Sequence, residues 1–305
     1  MRNTFAKTIN EIALKDKNVI LLSGDIGNKL FDKFKNDCPK QFINCGIAEA
    51  NMMSLAAGMA LCNLRPIIYT ITPFITIRCL EQIKIGVGYH KAPVVIVGTG
   101  SGLSYAELGP THHSLDDMAI LQTIPEINIL APSDSLELCA YLKEAVKSDF
   151  PTYIRIGKKG EPNLNLSSNK IKIGKANFLK KGKDFVIIGI GPILEEALEA
   201  AKFLQNYDLD IAVVSMGSVR PLDYNFLNEL KNNFRNWITL EEHYSIGGLG
   251  SLIMEWIFKN KLTNEIDLTK LGAPTKFINE LGNQKYIRNK LRIDAQGIKD
   301  IILGK

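Results

Sequence analysis

Short apolar runs alternate with helical patterns along the whole chain, and no other feature of the sequence restricts the fold as strongly. "NVILLSGD", "RPIIYT", "PVVIVGTG", "INILAPSD" and "PTYIRIG" are brief, rich in β-branched residues, and closed by Gly, Ser, Asp or Pro. Between them lie helical stretches such as "AEANMMSLAAGMALC", "FITIRCLEQIKIGVGYH" and "SLELCAYLKEAVKS". Strands and helices that alternate in this way build a parallel sheet covered by helices. From Lys158 to Lys183 the text turns polar and rich in Lys and Asn, and then a second alternation begins with "DFVIIGIG", "ILEEALEAAKFLQNY" and "DIAVVSM". The expected fold is α/β, in two domains that each hold a mostly parallel sheet covered by helices. The expected boundaries are residues 1–165, a linker over 166–182, and residues 183–305.

Composition narrows the function classes. A hydrophobic share of 46% and a charged share of 23% are those of an ordinary globular protein. The 37 basic and 32 acidic residues leave a net charge of +5, spread along the chain, which suits anionic small molecules and argues against nucleic acid. Cys38, Cys45, Cys62, Cys79 and Cys139 form no CxxC pair and no zinc spacing; with no signal peptide in view, they read as reduced thiols in a cytoplasm. No apolar run approaches membrane-spanning length, and "MRNTFAKTINEIALKDK" reads as an amphipathic helix.

Open parallel sheets bind ligands beyond the carboxyl ends of their strands. The turns after "RPIIYT" and "VVIVGTG" are therefore where chemistry is expected. In "YAELGPTHHSLDDMAI" a Gly-Pro turn presents His112 and His113, two of only four histidines, before a helix expected to start near a Ser114 cap with Asp117 at the capping-box position. Histidines in such a loop point to proton transfer or hydrogen bonding with a polar substrate, since no further metal ligands are in sight. "IRIGKK" sets Arg155, Lys158 and Lys159 at a strand end, as a phosphate anchor or a solvated tip. "GTGSGLSYAELG" has glycines but neither GxGxxG nor GK[ST] spacing. "EEHYSIGGLGSLIMEW" leads into a helix whose N-terminus suits an anion, although close backbone packing explains both glycine runs more simply. His243 shows no partner in the sequence. Phe74 opens a helix after a strand, as core or as platform. Glu49 stands in the almost wholly apolar or small "NCGIAEANMMSLAAGMAL", which reads as a helix packed on most faces. A carboxylate there must be paired, exposed at the helix start, or protonated.

In their order and spacing, "FINCGIAEANMMSLAAGMAL", the strand–Phe–helix segment with Arg and Glu-Gln, "GPTHH" and "NILAPSD" resemble the pyrimidine-binding domain of transketolases. "VIIGIGPILEEALEAA", "VVSMGSVRPLD" and "LEEHYSIGGLGS" resemble the family's C-terminal domain, so that the likeness covers nearly the whole chain. The resemblance implies thiamine diphosphate as cofactor, with Glu49 bonded to N1′ of its aminopyrimidine ring, Phe74 stacked on that ring, and Ile71 and Asp25 beside it. It implies that His112 contacts the hydroxyls and carbonyl of a sugar, and that Arg78, Arg155 and Lys158 face the substrate. Lys158 stands where the family has a phosphate-binding arginine.

Departures from the family carry expectations of their own. "SGDIGN" lacks the "GDG…N" motif that holds Mg²⁺ and the diphosphate, and a complete transketolase is roughly twice as long. The chain thus resembles the C-terminal subunit of a split transketolase. The expected partner is an N-terminal subunit that carries "GDG…N" and the metal, in an α₂β₂ complex that is active only when assembled. The substrates implied are sugars, with sugar phosphates foremost. Leu108 stands where transketolases commonly have an Asp that reads the acceptor, which implies altered sugar specificity. The rival readings are the β subunit of a 2-oxo acid dehydrogenase, a deoxyxylulose-phosphate synthase fragment and a non-catalytic scaffold.

Overall fold

The computed structural model describes residues 1–27, 29–164 and 171–304. Twelve strands run through them: β1 (Val19–Ser23), β2 (Phe42–Asn44), β3 (Arg65–Ile71), β4 (Val95–Thr99), β5 (Asn128–Leu130), β6 (Thr152–Ile156), β7 (Asn177–Lys180), β8 (Phe185–Gly189), β9 (Ile211–Ser215), β10 (Ser218–Arg220), β11 (Asn236–Tyr244) and β12 (Asp267–Ala273). They form one sheet in the order β10-β5-β6-β4-β3-β1-β2 and a second in the order β12-β11-β8-β9-β7. Two antiparallel strands, β10 beside β5 and β7 beside β9, edge otherwise parallel sheets. Every residue of β1, β4, β6 and β9 is buried. Such strands read as unbroken apolar runs because helices cover both faces.

Helix Glu49–Leu61 shows how one face is covered. Glu49, Met52, Met53, Ala56, Ala57 and Ala60 are buried, while Asn51, Ser54, Leu55, Gly58 and Leu61 stay exposed. The buried set follows the three- and four-residue steps of one helical stripe. Met52 and Met53 are fully covered, and each such side chain contributes about 1.5–3 kcal/mol of burial. The expectation of packing on most faces is therefore corrected. Composition counts apolar residues, but it cannot tell a buried stripe from an apolar face left open.

Three further expectations differ from what is found. The stretch read as one helix over "FITIRCLEQIKIGVGYH" is a short helix Thr72–Ile75, a turn Ile77–Cys79 and a π-helix Gln82–Tyr89. Thr76, at φ −103° and ψ −81°, breaks the first from the rest. The helix expected from Ser114 starts at Asp117, with Asp116 at its cap. Ser114 instead exchanges backbone hydrogen bonds with Gly102 at 3.0 and 3.1 Å, closing the loop on itself. Residues 166–170 of the expected linker lie outside the described residues, and its later part carries β7, which pairs with β9.

The halves are sewn together. β10 follows β9 in sequence yet pairs with β5 of the first sheet, and Ala131 N–H donates to the Gly217 carbonyl at 2.7 Å. The Arg155 guanidinium donates to the carbonyls of Ser114 and Glu242, both at 3.1 Å, and lies 3.3 Å from Asp117. One apolar cluster runs from Ile20 and Met52 through Val186 to Trp237.

Candidate active site

Because β1, β2, β3, β4 and β6 are parallel, their carboxyl ends share one edge of the first sheet. Asp25 follows β1, Glu49 follows β2, Ile71 ends β3, His112 lies on the loop after β4, and Lys158 follows β6. The topology thereby gathers residues from across some 130 positions of sequence.

Along that edge the side chains form a continuous train. Glu49 opens its helix on the buried stripe and is 3% exposed. Its Oε2 accepts a hydrogen bond from Arg78 Nη1 at 2.8 Å. The Arg78 guanidinium carbon lies 4.3 Å from the centroid of the Phe74 ring, a cation–π contact. Phe74 meets His112 edge-on at 5.3 Å, and His112 meets Tyr105 at 5.9 Å. Lys158 Nζ stands 4.5 Å from the Tyr105 centroid and pairs with Glu107 at 2.6 Å. A carboxylate thus marks one end of the train and an ammonium the other.

Two clefts open beside it. One of 430 Å³ is lined by Phe74, Arg78, Thr111 and Asp116 from the first domain and by Tyr244 and Phe277 from the second. The other, of 530 Å³, lies at the Lys158 end and is lined by Arg2, Lys29, Lys158, Lys159 and Glu161. Glu161 is taken by the Met1 amine at 2.8 Å, so that the basic side chains dominate the second cleft. Such a concave basic surface attracts anions.

The electrostatics favour neutral, exchangeable groups at the centre. Partial burial, and secondarily the neighbouring His113, lower the pKa of His112, which keeps the ring neutral at pH 7. One ring nitrogen, Nδ1, lies 2.9 Å from Thr111 Oγ1, which leaves Nε2 for a ligand. His113 is buried and sits 3.3 Å from the Ala106 carbonyl, where it braces the turn. Behind Phe74 the Cys79 thiol is pushed up to about 12 by burial and by Glu49, so it stays protonated and inert. Asp25, at φ +56°, accepts from Asn44 Nδ2 at 2.9 Å, and Asn44 Oδ1 accepts from Gly46 N–H at 3.0 Å. That relay ties the loop after β1 to the segment that delivers Glu49.

Several expected residues take other places. Arg155 is 5% exposed, and its guanidinium is spent across the domain seam, away from the basic cleft. Its strand position looked like Lys158's, but β6 alternation turns it inward. Arg78, expected on the substrate, has its guanidinium on Glu49 and Phe74 instead. The glycine-led helix Leu249–Lys259 does meet an anion, but an internal one: buried Glu241 accepts from Leu249 N–H at 2.8 Å and Gly250 N–H at 2.9 Å. His243 is fully buried and accepts from Ala119 N–H at 3.3 Å. Tyr105, Arg2 and Lys29 were not anticipated. Arg2 and Lys29 reach the cleft only through chain folding, and the glycine at position 100 was the sole local sign that Tyr105 has a special place.

Known proteins fit this arrangement. A family model for the transketolase pyrimidine-binding domain matches residues 1–161, and one for the transketolase C-terminal domain matches residues 174–296. One of the two subunits of an apulose-4-phosphate transketolase from Phocaeicola vulgatus is 31% identical over 97% of this chain and 94% of that protein. A 1-deoxy-D-xylulose-5-phosphate synthase from Caldanaerobacter subterraneus subsp. tengcongensis is also 31% identical, over 99% of this chain but 48% of that protein. A solved split-gene transketolase, described as an inactive beta4 tetramer, is 28% identical with a TM-score of 0.88, covering 99% of this chain and 96% of that one. The chain belongs to the transketolase family and carries the family's pyrimidine-binding and C-terminal domains.

Proposed function

We propose that this chain is the C-terminal subunit of a two-subunit transketolase, moving a two-carbon ketol unit between a sugar-phosphate donor and an aldose acceptor. The observation that carries the reading is the train itself, with Glu49 and Phe74 at one end, His112 in the middle and a basic cleft at the other. Family membership implies thiamine diphosphate, and the residues present fit its ring: a 3%-exposed carboxylate lies next to an accessible aromatic face. When bound, that cofactor supplies the carbanion chemistry the side chains lack.

The chain's own residues take the following parts. Glu49 exchanges a proton with the pyrimidine N1′, which a carboxyl sheltered from water can do without competing hydration. Phe74, with Ile71 before it, holds the ring. Asp25, through Asn44 and Gly46, fixes the turn that aims Glu49. Neutral His112 donates to the sugar's oxygens and stabilises charge that develops there. Lys158, joined by Arg2 and Lys29 of the same cleft, holds the phosphate end. Among the described residues, no group of three or more His, Cys, Asp or Glu converges to hold a metal. The Mg²⁺ and the diphosphate therefore fall to an N-terminal partner chain that carries "GDG…N", in an α₂β₂ assembly of the cytoplasm. Exposed Leu55, Leu61, Ile85 and Tyr89, on and beside the helix that Glu49 opens, support a face covered by that partner. No helix of the described residues is long and apolar enough to cross a membrane.

The test uses the reconstituted two-subunit complex. It should transfer ketol units from ketose phosphates, and His112→Ala should lower kcat roughly 10²–10³-fold with cofactor affinity unchanged, because its contacts are to the sugar. The deoxyxylulose-phosphate synthase among the relatives makes 2-oxo acids the control substrate. A complex that decarboxylates 2-oxo acids and ignores ketoses would overturn the reading.

A further inference from the structure

Tyr105 is the one link of the train that has no role in the proposed ketol transfer. It lies between the two groups assigned to the sugar, 5.9 Å from His112 ring to ring and 4.5 Å below Lys158 Nζ. Its seat is made by Gly100, the first residue past β4, which adopts φ +79°. A Cβ on Gly100 would run into the Tyr105 ring edge, with Cζ at 3.2 Å. The phenol thus fills the space a side chain would take at the carboxyl end of β4.

A phenylalanine would fill that space equally well, so the hydroxyl needs a reason of its own. Tyr105 is half-buried, and among the described residues no hydrogen bond reaches its oxygen. The direction of that oxygen is marked by Tyr69. Burial raises the Tyr69 phenol's pKa, Arg2 opposes the rise, and Tyr105 adds to it, which sets the two phenols close together. Tyr69 in turn accepts a hydrogen bond from Arg2 Nε at 3.0 Å, and Arg2 lines the basic cleft. The free Tyr105 hydroxyl therefore faces the side on which Arg2 and Lys158 converge.

We propose that Tyr105 is a substrate-binding residue whose hydroxyl donates a hydrogen bond to the phosphate of the sugar, between Lys158 and Arg2. The inference rests on the reading that a sugar phosphate binds at this edge, and it adds a neutral donor to a cationic site. At neutral pH a phenol keeps its proton and can only gain by giving it to an anion's oxygen, a charge-assisted bond. The Lys158 ammonium over its ring face holds the phenol in place meanwhile.

Tyr105→Phe removes the oxygen and keeps the packing, so the variant folds. With inorganic phosphate as probe on the reconstituted complex, Tyr105→Phe should weaken phosphate binding roughly ten-fold, the effect of one hydrogen bond to a charged group. For a ketose phosphate the loss should fall on KM, and an unphosphorylated ketose should not distinguish the variant from the wild type. Lys158→Ala should weaken phosphate binding as well, and Gly100→Ala, which displaces the ring, should mimic Tyr105→Phe. Wild-type phosphate affinity in Tyr105→Phe would overturn the inference, as would an equal loss for phosphorylated and unphosphorylated ketoses. Either result alongside normal ketol transfer sinks the role of Tyr105 alone. Failure of the wild-type complex to use any ketose would sink the transketolase reading instead.

Discussion

Two helix starts in this molecule each hold a buried glutamate, and they use it in opposite ways. At Leu249 the carboxylate of Glu241, 1% exposed, is gripped by two backbone N–H groups at 2.8 and 2.9 Å. Both oxygens are spent on satisfying donors that a helix start leaves orphaned. At Glu49, 3% exposed, no backbone group binds the side chain; one oxygen takes a single bond from the half-exposed Arg78. The first carboxylate is structure. The second is held by a partner that can move, at the edge of the sheet where ligands bind, and is free to take another. Burial alone does not separate a functional carboxylate from a structural one; what the oxygens are bonded to does.

The comparison is easiest to break at Glu241. Glu241→Gln should leave one amide facing a backbone donor and lose the charge at the helix start, costing about 2–4 kcal/mol in a denaturant titration. Activity per folded complex should persist, since Glu241 lines neither of the two clefts beside the train. A variant of wild-type stability would mean that the grip on the helix does not matter, and the distinction drawn from it would fall.

A third buried glutamate sharpens the contrast. Glu137 sits in the first turn of helix Ser135–Ala145, where its Oε2 accepts from the Ser133 N–H and hydroxyl at 2.7 and 2.8 Å. Complete burial outweighs those bonds and raises its pKa to about 7. A carboxyl whose folded-state value lies above its unfolded one of 4.5 stabilises most below that lower value. Stability should therefore fall as pH climbs from about 4.5 and level off above about 7. Glu137→Gln should flatten that slope in unfolding midpoints measured across the range. An unchanged slope would place the titration elsewhere.

How far these differences were legible depended on which physics the sequence exposes. The alternation of apolar runs and helices, and the placing of ligand-bearing loops at strand ends, followed from periodicity alone. Glu49 could be flagged from its apolar surroundings, but its burial could not, because the helical stripe includes the first turn only once the register against β1 and β3 is fixed. Arg155 and Lys158 stand three residues apart in one motif and differ completely, since β6 ends between them and alternation turns Arg155 inward. The pairing of β10 with β5 and the arrival of Arg2 and Lys29 at the Lys158 cleft are long-range contacts that no local pattern announces. Tyr105 was hidden for the same reason: its seat is made by a glycine whose positive φ appears only in the folded chain.

The central claim is that Glu49 is a proton-exchanging carboxylate rather than a capped one. Hydrogen–deuterium exchange at the thiazolium carbon of thiamine diphosphate, in the reconstituted complex, tests it most directly. Glu49→Gln keeps the shape and removes the exchangeable proton, so exchange should slow by roughly 10²-fold or more while the unfolding midpoint stays where it was. Exchange as fast as in the wild type, or slowed exchange accompanied by a loss of stability like that of Glu241→Gln, would contradict the account.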